Sequence, residues 1–318
     1  MVKKLKSKVS MEFKKVFYRK ILEKIAPGFW NISEFGYEKE NIATIYIDLR
    51  NTDHAHLGDQ LFFISAFLGY AGKKVIFIIS ESLADFYGCY DIVYSFDHPL
   101  AIDDKCLYVC SLKSYIDPLD SLFAQFENRL VYDLTDSLIE APLYKHIFEV
   151  LAGDISFNSE MSNANIFSLP EIESALTNFG LQDVQFYVLN DFLYSRTFMR
   201  PFLQGALRVK LKKAKNDGFI VCYVGGKDDA KSKSKLLDYV DIDLRGRTSY
   251  RQLLAIIGSD NCKGYIGFDN ALMHIHLLYK KSVFVKFRGR LTNKARTLHF
   301  NSINCAMNAQ AKDKIAYL

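Results

Sequence analysis

The sequence predicts an α/β protein built from two doubly wound domains facing a cleft, and three observations predict it. Apolar runs of strand length alternate with helical segments in both halves of the chain. Several of these runs are continuous rather than alternating, as strands buried on both faces of a parallel sheet require. At 318 residues the chain is too long for one comfortable core, and its 49% hydrophobic residues supply enough apolar material for two.

The elements follow in order. Leu5, Val9, Phe13, Val16, Phe17 and Ile21 recur at helical spacing with lysines opposite them, and Pro27-Gly28 stops that helix. Residues 1–29 thus form a basic amphipathic leader. Residues 1–24 hold nine Lys or Arg against Glu12 and Glu23, so the net charge of +5 belongs to the leader and not to the body. Such a helix can lie on an anionic membrane or pack on the body with solvated lysines; the concentration of charge favours the membrane. From residue 42 the pattern becomes strand (Ile42–Leu49), helix (Leu57–Tyr70, ended by Gly72) and strand (Val75–Ile79), a βαβ unit. Weaker strands are expected at Ile92–Tyr94, Leu107–Val109 and Leu130–Tyr132, then a helix over Leu143–Leu151. Residues 160–200 carry no clear period, and the domain boundary is placed there, near Pro201. The first domain is therefore expected over 30–195 and the second over 200–318.

The second half restarts the alternation. A lysine-rich helix at 205–215 leads to a strand at Phe219–Val224, and a further strand is expected at Val240–Leu244. A helix at Tyr250–Gly258, a strand at Gly264–Gly267, a helix at 270–279 and a strand at Ser282–Phe287 complete it. No internal repeat is apparent.

Composition excludes several classes. A nucleic-acid-binding fold would spread positive charge over a docking face rather than confine it to one end. No run reaches the ~18 apolar residues of a membrane span, and no secretory signal is seen, so the chain is expected in the cytoplasm. The six cysteines show no C-x-x-C pair, and Cys106 and Cys110 read as buried thiols rather than zinc ligands. No G-x-G-x-x-G or P-loop pattern occurs. Asp241-Ile242-Asp243 imitates a metal-holding D-x-D but lies in an apolar strand.

Two places carry the chemistry. In the segment 264–276 (Gly-Tyr-Ile-Gly-Phe-Asp-Asn-Ala-Leu-Met-His-Ile-His), Asp269 or Asn270 stands where a helix N-cap belongs. The amides of Ala271 and Leu272 then suit a diphosphate, and His274 in the first turns adds a donor. In the first half, His56-Leu57-Gly58-Asp59-Gln60-Leu61 follows the first strand and opens a helix. Gly58 lets the backbone be approached closely, and Asp59 is a carboxylate in the first turn, where the helix dipole favours it.

Together these resemble the heptosyltransferase-like enzymes of glycosyltransferase family nine. There a Leu-Gly-Asp-x-Leu motif follows the first strand, and Gly-x-Asp-(Ser/Thr)-Gly-x-x-His binds the donor diphosphate. Gly267, Asp269 and His274 match, whereas Asn270 and Ala271 depart. Asp243–Tyr250, with Arg245, also resembles the glycine turn before that motif. The resemblance implies a GT-B fold of two Rossmann-like domains, an acceptor-binding first and a donor-binding second, with a C-terminal segment crossing back to the first. It implies metal-independent, inverting transfer from a nucleotide diphosphate sugar, ADP-sugar favoured, to a lipopolysaccharide-type or other saccharide acceptor. Asp59 would be the base, and His56, Gly58 and Gln60 would meet the acceptor. Gly225, one lysine (Lys231 or Lys233), Arg245, Gly267, Asp269, Asn270, Ala271, Leu272 and His274 would hold the donor. No cofactor or metal is expected.

Two other readings stay open. The Asn270-Ala271 departure suits a non-catalytic nucleotide-sugar-binding partner of the same fold. His54, His56 and Asp59, pooled with His274 and His276, would suit a metal-dependent hydrolase. On one helix, however, His274 and His276 point about 200° apart.

Overall fold

A computed structural model describes residues 41–50, 73–80, 93–95, 100–111, 119–132, 169–192, 200–231, 234–286 and 314–318. The leader, the helices expected at 57–70 and 143–151, and His54, His56, Gly58, Asp59, Gln60 and Lys233 lie outside these residues. The chain divides into two compact units, Met1–Asn158 and Ser159–Leu318.

The first unit holds a five-stranded sheet of β1 (Thr44–Asp48), β2 (Lys74–Ile79), β3 (Val93–Ser95), β4 (Cys106–Ser111) and β5 (Asn128–Tyr132). Its order is β3-β2-β1-β4-β5, and every pairing is parallel. β4 is buried along its whole length and β2 from its second residue on, which explains their unbroken apolar character. A short helix, α1 (Leu122–Gln125), precedes β5. Tyr46, Tyr108 and Phe126 pack together beneath it, with the Tyr108 and Phe126 rings stacked 4.9 Å apart.

The second unit opens with α2 (Leu169–Asn178) and β6 (Phe186–Asn190). Next come α3 (Arg200–Asn216), β7 (Ile220–Tyr223), the four-residue α4 (Lys227–Ala230) and β8 (Ile242–Asp243). The unit closes with α5 (Tyr250–Gly258), β9 (Cys262–Phe268), α6 (Ala271–Leu278), β10 (Ser282–Lys286) and β11 (Ile315–Tyr317). Its sheet runs β11-β10-β9-β6-β7-β8, again parallel throughout. Numbered from its own first strand this is 3-2-1-4-5-6 read from the β8 edge, the doubly wound dinucleotide-fold order.

α5 shows how sequence sets an element. The Ser249 hydroxyl accepts from the Gln252 amide at 3.1 Å, and the Gln252 side-chain oxygen accepts from the Ser249 amide at 2.9 Å. This capping box fixes the helix start, and Leu253, Leu254, Ile256 and Ile257 then fall on the buried face. Gly264 permits the pairing of β9 with β10: at φ +153°, an added Cβ would stand 2.1 Å from the Ser282 carbonyl oxygen.

Three expectations are corrected. The boundary near Pro201 falls inside α3, and residues 169–190, assigned to the first domain, supply a helix and a central strand of the second. Phe186–Leu189 mixes aromatic and branched residues over too short a stretch to show a period, so β6 was not foreseen. The described end of the chain does not return to the first domain, because β11 pairs with β10. Third, one short repeat exists. Ile47-Asp48-Leu49-Arg50 and Ile242-Asp243-Leu244-Arg245 are identical, and each ends a strand with the same closure. In each, arginine Nε meets Asp Oδ1 (3.0 and 2.9 Å) and Nη2 meets Asp Oδ2 (2.6 and 2.7 Å).

Candidate functional site

In a doubly wound sheet the connections leave in opposite directions on either side of one strand pair, and the crevice opened there is where ligands bind. In the second unit that pair is β6 and β9, whose carboxyl ends carry Asn190-Asp191 and Asp269-Asn270. The predicted motif therefore sits at the switch point of its sheet.

Asn270 is the N-cap of α6; its side-chain oxygen accepts from the Leu272 amide at 3.0 Å. Asp269, the alternative candidate, instead places Oδ1 3.6 Å from His274 Nε2, an ion pair when the imidazole is protonated. Both side chains are mostly buried, at 16% and 10% exposed. Ala271 and Leu272 form the first turn and are half-buried. Asp269, Asn270, Ala271, Leu272 and His274 are thus brought together around one helix start.

Gly267 adjoins them for a different reason. An added Cβ would lie 2.2 Å from the Asn190 carbonyl oxygen and 2.3 Å from the Tyr265 hydroxyl, so its role is close packing of β9 on β6. His276 does not join His274. It is wholly buried, and its Nδ1 lies 2.6 Å from the Leu272 carbonyl, which makes Nδ1–H the donor. Burial pushes its pKa down to about 3, so it is a neutral core histidine. Among the described residues no group of three His, Cys, Asp or Glu could hold a metal ion.

The remaining donor candidates among the described residues are engaged elsewhere. Gly225 follows β7, and the space where its Cβ would project is filled by the Asp229 carboxylate, 2.5 Å away. That carboxylate accepts from the Gly226 amide at 2.8 Å, where a phosphate oxygen would otherwise bind. The Lys231 ammonium lies on Asp228 at 2.9 Å, in an exposed pair. Arg245 grips Asp243, donates to the Asp229 carbonyl at 2.8 Å and lies 4.3 Å over the Tyr223 ring. Its hydrogen bonds to Asp243 outweigh its burial and raise its pKa, while Asp243 is held below the usual carboxylate range by Arg245. Topology gives the common reason. Gly225 and Lys231 follow β7, whereas the first strand of this unit is β6, and β7 lies one step outward from the switch point.

The residues that sequence reasoning missed lie at the end of β6. The Asn190 amide nitrogen donates to the Val224 carbonyl at 2.8 Å, and its oxygen accepts from the Phe192 amide at 3.0 Å and from the Asn270 amide nitrogen at 2.9 Å. Asp191 is fully buried and accepts from Tyr223, Gln204 and Ser234, the last at 2.8 Å. Tyr265 completes the group, with its hydroxyl 2.8 Å from the Phe268 carbonyl and 3.1 Å from the Asn270 side-chain oxygen. A polar Asn-Asp pair closing an apolar run was the available signal.

The first unit's switch point lies between β1 and β4. There Arg50 bridges Asp48 and Asp120, at 2.6 and 2.7 Å, and the Tyr108 hydroxyl donates to Asp48 at 2.5 Å. Burial would lower the Arg50 pKa, but Asp48 and then Asp120 outweigh it and the net direction is up. Burial, reinforced by Asp48, raises that of Tyr108.

No family model matches the chain, and no curated protein matches its sequence. Solved structures do match. ADP-heptose lipopolysaccharide heptosyltransferase II of E. coli is 12% identical at a TM-score of 0.54, covering 87% of this chain and 90% of its own. A glycosyltransferase family 9 protein of Veillonella parvula is 13% identical at 0.54, covering 89% and 88%. The E. coli heptosyltransferase WaaC with ADP is 11% identical at 0.50, covering 79% and 89%. At these identities the likeness is one of fold: two Rossmann-like domains in one chain, the GT-B class.

Proposed function

We propose that this chain is a glycosyltransferase that moves a sugar from a nucleoside diphosphate sugar, with ADP-heptose the favoured donor, to a saccharide of the lipopolysaccharide or cell-surface glycan kind. One observation carries the reading. A capped helix start with Asp269 and His274 beside it stands at the switch point of the second sheet, in a chain whose fold is that of heptosyltransferases, one of them solved with ADP.

When the anomeric C–O bond breaks, negative charge grows on the departing diphosphate. The amides and dipole of α6, with His274 as donor, stabilise that charge by being already in place. The acceptor hydroxyl attacks the anomeric carbon from the opposite face, which inverts the configuration, and Asp59 takes its proton. The leaving group needs a further cation, and with β6 as the first strand of its domain the candidates are Arg196 and Arg200, which follow it, rather than Lys231 or Lys233. The chemistry needs no metal.

A second reading, a nucleotide-sugar-binding partner without catalysis, is favoured by Asn270 and Ala271: the Asn270 oxygen already holds the Leu272 amide, and Ala271 carries a Cβ. Thermal unfolding of the full chain against a panel of nucleoside diphosphates and their sugars tests the function. A ligand at a hundred times its Kd stabilises by about 2.7 kcal/mol; if none raises Tm, both readings fail. Asp59→Asn should retain donor binding and lose transfer by at least a hundredfold. Transfer at the wild-type rate in that variant would remove Asp59 from its role. Donor binding without transfer to any glycan, in the wild type, would leave the partner reading standing.

A further inference from the structure

We propose that Asn190 is a positioning residue of the donor site, acting through Asn270 to set the start of α6; the proposal rests on the nucleotide-sugar reading above. The atoms leave no freedom in the assignment. The Asn190 side-chain oxygen faces the Phe192 amide, which can only donate, and its nitrogen faces the Val224 carbonyl, which can only accept. The residue is 4% exposed, and its side chain is held by backbone on both sides. Its oxygen therefore requires a donor from Asn270, 2.9 Å away, and this turns the Asn270 nitrogen toward β6. The Asn270 oxygen is then directed at the Leu272 amide and the Tyr265 hydroxyl, at 3.0 and 3.1 Å.

Turned the other way, the Asn270 nitrogen would oppose the Leu272 amide, donor against donor, and the cap would be lost. The link thus does two things. It joins the ends of β6, β7 and β9, the strands at and beside the switch point, into one hydrogen-bonded frame. It also fixes the rotamer of the residue that starts α6, and with it the direction of the neighbouring Ala271 amide and the place of Asp269 and His274. A hydroxyl at position 270 would cap the helix equally well but is too short to reach Asn190. The Asn at 270 is thereby explained as half of a pair.

The test is a double-mutant cycle on the full chain, with ADP and adenosine as probes and calorimetric Kd values as the readout. Asn270→Ser keeps a good N-cap and breaks the link; Asn190→Ala breaks it from the other side. Each should weaken ADP at least tenfold and leave adenosine within twofold, because only the diphosphate senses the helix start. The double variant should be no worse than the poorer single one. The melting temperature of Asn270→Ser should stay within a few degrees of wild type, so this variant remains informative even where Asn190→Ala folds poorly. ADP binding at wild-type affinity in folded Asn270→Ser overturns the proposal, as do equal losses for both ligands or losses that multiply. Wild-type protein that binds no nucleoside diphosphate brings down the functional reading itself, and the two failures are thereby told apart.

Discussion

His276 offers a test of the second unit that does not depend on its function. The side chain is wholly buried, donates through Nδ1 to the Leu272 carbonyl, and has no partner for Nε2 among the described residues. Burial holds its folded pKa at about 3, below the ordinary imidazole value of 6.5. A histidine whose folded pKa is depressed contributes stability above its unfolded pKa, and that stability is lost as pH falls, because the unfolded chain takes up the proton first. With about 1.4 kcal/mol per pH unit, the loss between pH 7 and pH 5 is about 2 kcal/mol, rising to about 4 kcal/mol by pH 3. Replacing His276 with Leu removes the titrating group and keeps an apolar side chain of similar bulk. Urea unfolding of both proteins, followed by far-UV circular dichroism at half-unit pH steps, isolates the effect, since every other histidine cancels in the difference. The wild type should lose about 2 kcal/mol more than the variant from pH 7 to 5. Parallel stability curves would show that His276 is solvated or paired in the folded protein, and the packing described for α6 would be wrong.

Two further perturbations probe the frames around the switch points. Gly267→Ala places a methyl within 2.3 Å of Asn190 and Tyr265 atoms in β6 and β9; overpacking there should cost about 3 kcal/mol, read as a drop in Tm of the second unit. Arg50→Met leaves buried Asp48 with Tyr108 but without its cation, a loss of about 3–5 kcal/mol; a fall of under 1 kcal/mol in urea unfolding would refute the closure seen there.

Much of this architecture was legible because burial on both faces gives parallel strands an unbroken apolar run. Val75–Ile79 needed only one added residue, and Tyr250–Gly258 matched residue for residue, helped by the Ser249–Gln252 box. The placing of Asp269–His274 on a strand-to-helix turn was equally legible, since the N-cap chemistry is local. The far ends of interactions were not. That Asn190 lies beside Asn270 is a fact of strand order, 80 residues apart in sequence, and no local pattern encodes it. The misplaced boundary had the same cause: β6 is short, and nothing near it announces that it will be the innermost strand of the second sheet.

That error decides how the donor candidates should be weighed. Gly225, Lys231 and Arg245 looked apt because glycine turns and basic residues after a strand are common phosphate ligands. Each is satisfied within the β7–β8 edge, by Asp229, Asp228 and Asp243 respectively. The identical Ile-Asp-Leu-Arg closures make the point from the other side. One stands at the innermost strand of its sheet and the other at an outer edge, with the same atoms in the same contacts. The motif closes a strand end wherever it occurs, so it carries no functional information by itself. Position in the winding order does: residues that follow β6 and β9 stand at the switch point, where the crevice opens. By that criterion Asn190, Asp191, Asp269, Asn270 and His274 are the described residues gathered at the switch point, and they are the ones against which donor binding is to be tested.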